Sequence, residues 1–360
     1  MQLSNGSAMG RGVLRPGRCT PHTPGGRPVK VDAQIMYGTL DEVPHLVQAA
    51  EAWGLDAVWF SETAHDPFLA AALAAQSTSR IGIGTGIALA FTRSPTLLAY
   101  LAWDLAALSK GRFMLGLGTQ VRAHIVRRFG MPWTPPAPRL RTTVRAVRAV
   151  WDAWRRGVPL DFRGPDMTLS LMTPFFTPPP QPHPIPILTA GVNPPLCRVA
   201  GEVADGFHVH PFHTPAYLRD VVLPAIARGR EKAQRTSGPF EIVVSALTVV
   251  EGTELSTDAA RRALAFYAST PSYRGVLAHH GWEDLGQRLS VLASRGRWAE
   301  MSTLITDDVL HAFAVVAPPE EFGSKLRERY RGLADRISLY EPFAPSQAAL
   351  YRTLLAAFRT

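Results

Sequence analysis

Glu62, His65 and Asp66 form the densest group of polar side chains in a stretch that otherwise alternates between apolar strand and helix. A carboxylate and an imidazole placed this close together can hold or move a proton near neutral pH. Asp66 precedes Pro67, and an acidic residue before a proline in the first turn is typical of a helix N-cap. We therefore take Glu62 and His65 as candidate acid/base groups and Asp66 as a cap.

Glycines recur in two further strands, as Gly82-x-Gly84-x-Gly86 and Gly116-x-Gly118. Neither pattern is the dinucleotide fingerprint, which needs G-x-G-x-x-G between a strand and a helix. Inside a strand, we interpret Gly82 and Gly84 as sites of close backbone packing. Gly118-Thr119 ends a strand before a helix, where either packing or contact of a phosphate with backbone amides explains the glycine.

Three histidines, His208, His210 and His213, follow one another at short intervals. His208 and His210 alternate along a strand and share a face, but no carboxylates follow at the spacing of metal ligands. We predict a polar rim of a barrel and no metal site.

These residues sit in a repeated unit of a short apolar run, a turn and an amphipathic helix. Eight runs read as strands, which favours a parallel sheet closed into a (β/α)8 TIM-like barrel with inserted loops and helices. Such barrels carry their chemistry at the carboxyl ends of the strands. Residues 256–323 are helical and longer than a crossover needs, so they predict inserted helices. The predicted strands are 31–36, 56–61, 81–85, 113–117, 185–189, 206–209, 241–250 and 336–340.

The chain divides into three predicted regions. Residues 1–30 are rich in Gly, Pro, Arg and Ser and are expected to be a disordered tail. Residues 31–345 form the barrel, which includes a proline-rich insertion at 160–186 that is either a lid or a surface wrap. Residues 346–360 are expected to form a C-terminal helix.

Composition limits the class of protein. The 360 residues are 46% hydrophobic and contain two cysteines, too few for a disulfide framework or a zinc site, which favours a reducing cytoplasm. No apolar run is long enough to span a bilayer, so we expect no membrane partner. The net charge of +9 comes mostly from scattered arginines, and we expect no nucleic-acid partner. Arg139, Arg141, Arg145 and Arg148 are predicted to be a solvated helix face.

Several segments together resemble the bacterial-luciferase-like superfamily, and most closely its branch of oxidoreductases that depend on the deazaflavin coenzyme F420. The L-S-x-G-R-F-x-L-G-L-G and A-G-E-x-A-D-G patterns are specific for the superfamily, and the likeness extends from Val31 to Tyr340. The segments are residues 61–68, 90–95, 108–118, 200–206, 296–301 and 314–321.

The resemblance implies a TIM-like barrel whose mouth holds the cofactor ring. It implies that Glu62 and His65 follow the second strand and that a non-prolyl cis peptide, Gly86-Ile87, lies behind the ring after Thr85. The implied phosphate site comprises Gly118, Thr119, Gln120 and Val121 after one strand, and Ala190, Gly191 and Val192 after the next. The sugar-phosphate dehydrogenases of this branch carry a glutamate where this chain has Val121, so the proton donor and a sugar-phosphate substrate remain open.

The resemblance implies a cytoplasmic oxidoreductase, expected to be a homodimer, that transfers a hydride between a small organic substrate and coenzyme F420. Two alternatives remain: an FMNH2-dependent monooxygenase with FMN as cofactor, and a non-catalytic deazaflavin-binding protein. In the oxidoreductase, the cofactor would carry out the redox chemistry, and the protein would orient the ring and exclude water.

Overall fold

A computed structural model describes residues 28–253 and 256–359. The tail predicted at 1–30 lies almost wholly outside the described residues. Eight strands form the barrel: β1 Lys30–Ile35, β2 Ala57–Phe60, β3 Gly82–Thr85, β4 Phe113–Gly118, β5 Ile187–Gly191, β6 Gly206–Val209, β7 Glu241–Ala246 and β8 Arg336–Leu339.

Every barrel strand pairs in parallel with its neighbours in chain order. The barrel closes where β1 pairs with β8, Asp32 lying opposite Ser338. An additional strand, Ala88–Leu89, pairs with the carboxyl end of β4. The predicted (β/α)8 barrel is therefore confirmed, and its strand ends converge on one mouth as the parallel direction requires.

Helices cover the outside of the barrel because their buried faces are apolar. They are α1 Val43–Trp53, α2 Pro67–Ser77, α3 Pro95–Leu108, α4 Pro136–Arg156, α5 Pro194–Val203 and α6 Leu223–Lys232. The prediction that Asp66 caps a helix is confirmed, since its side chain accepts a hydrogen bond from the amide of Phe68 at the start of α2. Residues 40–42 form a separate 3-10 turn, and α1 begins beside Pro44, which lacks an amide hydrogen.

The barrel interior combines a small apolar cluster with one buried ion pair. Ala57, Trp59, Leu188 and Val243 form the cluster. Beside it, the Arg336 guanidinium donates two bonds of 2.7 and 2.8 Å to the Asp32 carboxylate, which also accepts from the Trp59 indole at 2.8 Å. Both charged side chains are almost fully buried, so the attraction between them must offset the hydration that each charge loses on burial.

A repeated aspartate joins neighbouring strands at the amino-terminal end of the barrel. Asp56, Asp205 and Asp335 each directly precede a strand and accept a hydrogen bond from a backbone amide of the strand before it in the barrel. The donors are Val31, Ile187 and Ile242, at 2.8, 2.9 and 2.8 Å. The three carboxylates therefore join β1 to β2, β5 to β6 and β7 to β8, and help to fix the register of these strand pairs.

The superfamily patterns in this chain also stabilise this end of the barrel. Arg112, from L-S-x-G-R-F, donates to the carbonyls of Ala75, Thr78 and Ile81 and so joins α2 to the start of β3. From A-G-E-x-A-D-G, Gly201 lets α5 approach α6, since a Cβ there would lie 2.1 Å from the Ile226 carbonyl oxygen. Glu202 of the same pattern pairs with Arg141 and Lys232. These motifs specify the scaffold.

The arginines of α4 are not the solvated face that the sequence predicts. Arg141 pairs with Glu202, Arg148 pairs with Asp205 at 2.7 Å, and the Arg139 guanidinium stacks over Phe91 at 4.5 Å. Carboxylates of α5 and of the turn after it lie opposite this face, so the charges join α4 to α5. Of the four, Arg145 is exposed.

The predicted strand at 241–250 is wrong in its extent. β7 ends at Ala246, and a second strand, Thr248–Val250, leaves the barrel to pair with Val315–Ala317. Between β7 and β8 lies the helical insertion that the sequence predicts, with α7 Thr257–Ala268, α8 Glu283–Ser294, α9 Asp307–Phe313 and α10 Pro319–Arg329. A last helix, α11, spans Ala348–Arg359.

The proline-rich segment at 160–186 wraps the outside of the barrel. It contains an antiparallel hairpin, Phe162–Arg163 with Thr168–Leu169. Tyr100 and Trp103 of α3 donate to the carbonyls of Phe176 and Pro179. Because these contacts fix the segment on α3, it is a surface wrap. In the part of the chain that the structure describes, no helix has the length and apolar character needed to cross a membrane.

Candidate active site at the barrel mouth

The segments after β2 and β3 meet at the mouth through one buried carboxylate. Glu62 accepts a hydrogen bond from the Leu89 amide at 2.8 Å and from the Arg93 guanidinium at 2.7 Å. Arg93 also pairs with Asp66. These bonds favour a positioning role for Glu62, in which it fixes the segment after β3, over the acid/base role that the sequence suggests.

His65 is exposed at the mouth. Its ring stacks on Tyr37, which follows β1, with 4.9 Å between ring centroids and 22° between planes. The Tyr37 hydroxyl donates to the Asp66 carbonyl at 3.3 Å. Arg128, beyond β4, donates to the carbonyl of Thr63 and so links the turns after β2 and β4. His65 is thus held in place while its ring edge stays accessible to a small molecule.

The peptide bond between Gly86 and Ile87 is cis, as the resemblance implies. The Ser61 hydroxyl donates to the Gly86 carbonyl at 2.6 Å, and the Glu62 amide donates to the Ile87 carbonyl at 3.0 Å. The Ile87 side chain lies against Gly118, where a Cβ would come within 2.5 Å of it. The predicted residues after β2, β3 and β4 therefore lie together.

Thr85 does not belong with them. It is fully buried, and its hydroxyl donates to the Gly116 carbonyl at 2.7 Å while accepting from the Gly116 amide at 2.9 Å. Both bonds join β3 to β4, so the hydroxyl has no hydrogen left for a cofactor. The hydroxyl therefore has a structural role, and the expected place of Thr85 among the cofactor-binding residues stays a prediction for the rest of the residue.

The turn after β4 begins with Gly118 and Thr119, both buried, and continues into Gln120, whose φ is +56°. The Gln120 side-chain oxygen accepts from the Val121 amide at 2.8 Å, so this amide already has a partner. Arg122 and Arg127 follow and are exposed. The turn therefore offers cationic side chains to an anion more readily than the Val121 amide.

The segment after β5 has three different environments. Ala190 aligns with His208 on the inner face of the barrel. Gly191 lies against Leu196, because a Cβ there would be 2.7 Å from that side chain. Val192 is buried, and its carbonyl accepts from the Tyr217 hydroxyl at 3.3 Å. Ala190 is the one of these three whose register places it beside the barrel interior.

His208 lies deeper in the barrel than the predicted polar rim. It is buried, its ring meets Trp59 edge-on at 4.6 Å, and its Nε2 has no hydrogen-bond partner. Burial, together with the nearby Arg336 charge, lowers the pKa of His208 to about 3, so the ring is neutral. The Nε2 atom lies 3.1 Å from where a Cβ on Gly116 would stand.

Four aromatic side chains that sequence reasoning did not single out as one group line the mouth beyond β6 and β8. His210 contacts Tyr267 and Tyr273 at 4.9 and 4.6 Å between ring centroids. The hydroxyls of Tyr267 and Tyr340 are 2.8 Å apart. The inward alternation of β6 and β8 marks His210 and Tyr340 in the sequence, whereas Tyr267 and Tyr273 come from the insertion, where no local pattern marks them.

The mouth is built to hold a planar group. Its glycines, Gly86 and Gly118, remove side chains beside the cis peptide, and an unpartnered imidazole nitrogen lies below them at His208. Exposed arginines stand at the end of β4. These features fit a deazaflavin or flavin, with a ring against backbone and an anionic tail toward cations.

Several known proteins share this architecture. The sequence is 45% identical over 318 residues to Uncharacterized protein Rv1360 of Mycobacterium tuberculosis, covering 87% of this chain and 93% of that one. A coenzyme F420-dependent tetrahydromethanopterin reductase from Methanopyrus kandleri superposes with a TM-score of 0.74 at 21% identity, covering 92% of this chain and 98% of that one.

An F420-dependent secondary alcohol dehydrogenase, solved with an F420-acetone adduct, superposes with a TM-score of 0.72 at 17% identity over 93% of this chain and all of that one. A type II Baeyer-Villiger monooxygenase from Pseudomonas putida, solved with FMN, superposes with a TM-score of 0.63 at 16% identity, covering 92% of this chain and 98% of that one. These likenesses show the barrel fold. The luciferase-like monooxygenase family matches residues 18–336. This chain, with its parallel barrel and its cis Gly86-Ile87 bond, belongs to that family.

Proposed function

We propose that this protein is an oxidoreductase that transfers a hydride between a small organic substrate and coenzyme F420. The observation that carries the proposal is the mouth itself, where the cis Gly86-Ile87 bond packs against Gly118 and the exposed ring of His65 follows the neighbouring strand β2. The F420-dependent structures also superpose with higher TM-scores, 0.74 and 0.72, than the FMN complex at 0.63.

When bound, the deazaflavin supplies a ring carbon that accepts or donates a hydride. The chain's own residues orient the ring and exclude water. Gly86, Ile87 and Gly118 would lie against the ring, and Arg122 and Arg127 would attract the anionic tail. His65 can give or take a proton at its ring nitrogens.

The second candidate is an FMNH2-dependent monooxygenase, favoured by the likeness of the fold to an FMN complex. A non-catalytic deazaflavin-binding protein is the third. We further propose a homodimer that works in the cytoplasm on a small molecule, with no nucleic-acid or membrane partner.

Titration of the purified protein with F420 and with FMN, each followed by fluorescence, separates the first two candidates. We expect F420 to bind at least about tenfold more tightly, a difference of about 1.4 kcal/mol. Tighter binding of FMN, with incorporation of oxygen from labelled dioxygen into product, would overturn the proposal in favour of the monooxygenase. F420 binding without a change in its absorbance across a panel of alcohols, ketones and enones would support the carrier.

A matched pair of variants tests where the anionic tail of F420 lies. Arg122→Gln removes an exposed cation beside the mouth, whereas Arg145→Gln removes an exposed cation on α4. We expect the first to weaken F420 binding severalfold, more so at low salt, and the second to leave the binding unchanged. Equal effects of both would show that the tail does not lie along the turn after β4.

A further inference from the structure

The insertion between β7 and β8 completes the mouth with aromatic side chains. Tyr267 lies on α7 and Tyr273 ends the 3-10 turn Pro271–Tyr273. The side-chain Nδ2 of Asn193, which follows β5, donates to the Ser272 carbonyl at 2.8 Å and so fixes this turn over the barrel. We call His210, Tyr267, Tyr273 and Tyr340 the tyrosine wall.

One side chain links the strand that leads to Tyr340 with the cis peptide after β3. The Gln34 side-chain oxygen is 3.6 Å from the Cβ position of Gly86, and its nitrogen donates to the Ser338 hydroxyl at 3.1 Å. Tyr340 is the next residue after Ser338 on the same face of the chain. One side chain, Gln34, therefore spans the floor between the cis peptide and the wall.

Of the two hydroxyl hydrogens of Tyr267 and Tyr340, one is not used in the bond between them. In a contact of 2.8 Å between the Tyr267 and Tyr340 hydroxyls, one donates and the other accepts. The accepting hydroxyl keeps its own hydrogen for a third group. Both side chains are half-buried, so a molecule in the mouth can reach that hydrogen.

The tyrosine wall carries no net charge at neutral pH. Burial raises the pKa of Tyr273 to about 12 and raises those of Tyr267 and Tyr340, while burial lowers the pKa of His210 to about 3. The neighbouring carboxyl of Glu341 supplies no positive charge for an anion, and burial raises its own pKa to about 7, so it is partly protonated at neutral pH. Such surroundings favour a neutral ligand over a phosphorylated one.

We propose that the tyrosine wall binds the substrate of the proposed reaction, and that this substrate is a neutral alcohol or ketone with an apolar, ring-sized body. Its oxygen accepts the free hydroxyl hydrogen of the Tyr267–Tyr340 pair, and its body packs on the rings of Tyr273 and His210. The inference rests on the proposed function in calling this ligand the substrate. The binding itself is tested without turnover.

The test uses cyclohexanone and cyclohexyl phosphate as probes, with binding measured by calorimetry on the full chain saturated with F420 and again without it. Tyr340→Phe and Tyr267→Phe each remove one hydroxyl of the pair and keep the ring. Tyr100→Phe is the matched control, because its hydroxyl bonds to the Phe176 carbonyl on the outside of the barrel. Thermal melting checks that each variant folds.

We expect cyclohexanone to bind wild type and to lose about three- to tenfold in affinity in both wall variants, the effect of one neutral hydrogen bond, with no loss in Tyr100→Phe. F420 affinity should be unchanged in all three. Equal losses in the control, tighter binding of cyclohexyl phosphate than of cyclohexanone, or no binding of cyclohexanone to wild type would each overturn the inference. A protein that loses cyclohexanone in the wall variants but never binds F420 contradicts the proposed function alone.

Discussion

His65 combines exposure at the mouth with a fixed ring. Because its contact is one stacked ring, Tyr37, its removal deletes little buried surface. We expect His65→Ala to lower turnover of F420 with a substrate by about 10²–10⁴-fold, the usual effect of losing an acid/base group. The unfolding free energy should change by less than about 1 kcal/mol.

His45→Ala is the control for this variant, since His45 is exposed on α1. Turnover by His65→Ala within a factor of two of wild type would remove the imidazole from the mechanism. A fall in melting temperature proportionate to a modest loss of activity would show that His65 only holds the turn.

Glu62, unlike His65, is expected to contribute mainly to stability. Its carboxylate is buried against Arg93 and the Leu89 amide, and removing its charge leaves Arg93 with the more exposed Asp66 as its remaining ion-pair partner. We expect Glu62→Gln to lower the unfolding free energy by about 2–4 kcal/mol, measured by urea denaturation. A variant of wild-type stability with no turnover would restore Glu62 as an acid/base group.

At the scale of elements, close contact between β3 and β4 depends on Gly116. A Cβ there would lie 1.9 Å from the carbonyl oxygen of Thr85, a backbone atom that cannot move alone. We expect Gly116→Ala to lower the unfolding free energy by about 3 kcal/mol, because the two strands must separate. Denaturant titration measures this.

Gly275→Ala is the matched control, since its nearest atoms would stand at 3.5 and 3.6 Å and it lies in the short helix Arg274–Ala278. Its stability should change by less than about 1 kcal/mol, in the direction of gain. Similar destabilisation by both substitutions would show that strand contact is not the cause.

The elements were predictable wherever one physical signal dominated. Proline after a capping residue fixed the starts of α2 and α3, and continuous apolar runs marked strands buried on both faces. The apolar run at 241–250 was predicted as one strand because β-branched residues favour any strand. It is two strands because its second part pairs with Val315–Ala317, a tertiary contact that the local sequence does not mark.

The site was less predictable for a different reason. The patterns that identify the superfamily, such as Arg112 and Gly201, lie at the amino-terminal end of the barrel and specify packing. The tyrosine wall draws half its members from an insertion far along the chain. Only the fold brings Tyr267 within reach of Tyr340, so no spacing rule in the sequence could join them.

At the scale of the whole molecule, buried neutral histidines make stability depend on pH. Burial lowers the pKa values of His208, His210 and His213 to about 3, 3 and 4. In the unfolded chain these rings bind protons below about pH 6.5, so the unfolded state binds more protons. The unfolding free energy should therefore fall as pH drops from about 6.5 toward 4.

Each histidine contributes up to about 1.4 kcal/mol per pH unit in that window. Urea denaturation at pH 7, 6 and 5 measures the fall, and His45→Gln, an exposed site, should leave the slope unchanged. A free energy of unfolding that stays constant from pH 7 to pH 5 would contradict neutral burial of these rings.

The pairing of β8 with β1 makes the sheet a ring, and a ring has no first strand. Lys30 at the start of β1 donates to the Asp335 carbonyl, and Arg359 at the end of α11 donates to the Gly54 carbonyl, both beside the amino-terminal ends of strands. The barrel should therefore form even when its strands follow one another along the chain from a different starting strand.

A circular permutant that joins Thr360 to Met1 and opens the chain between Pro165 and Asp166, both exposed, should fold and bind F420 as wild type does. Circular dichroism and F420 titration would show this, and an unfolded permutant would mean that chain order, besides closure, determines the barrel.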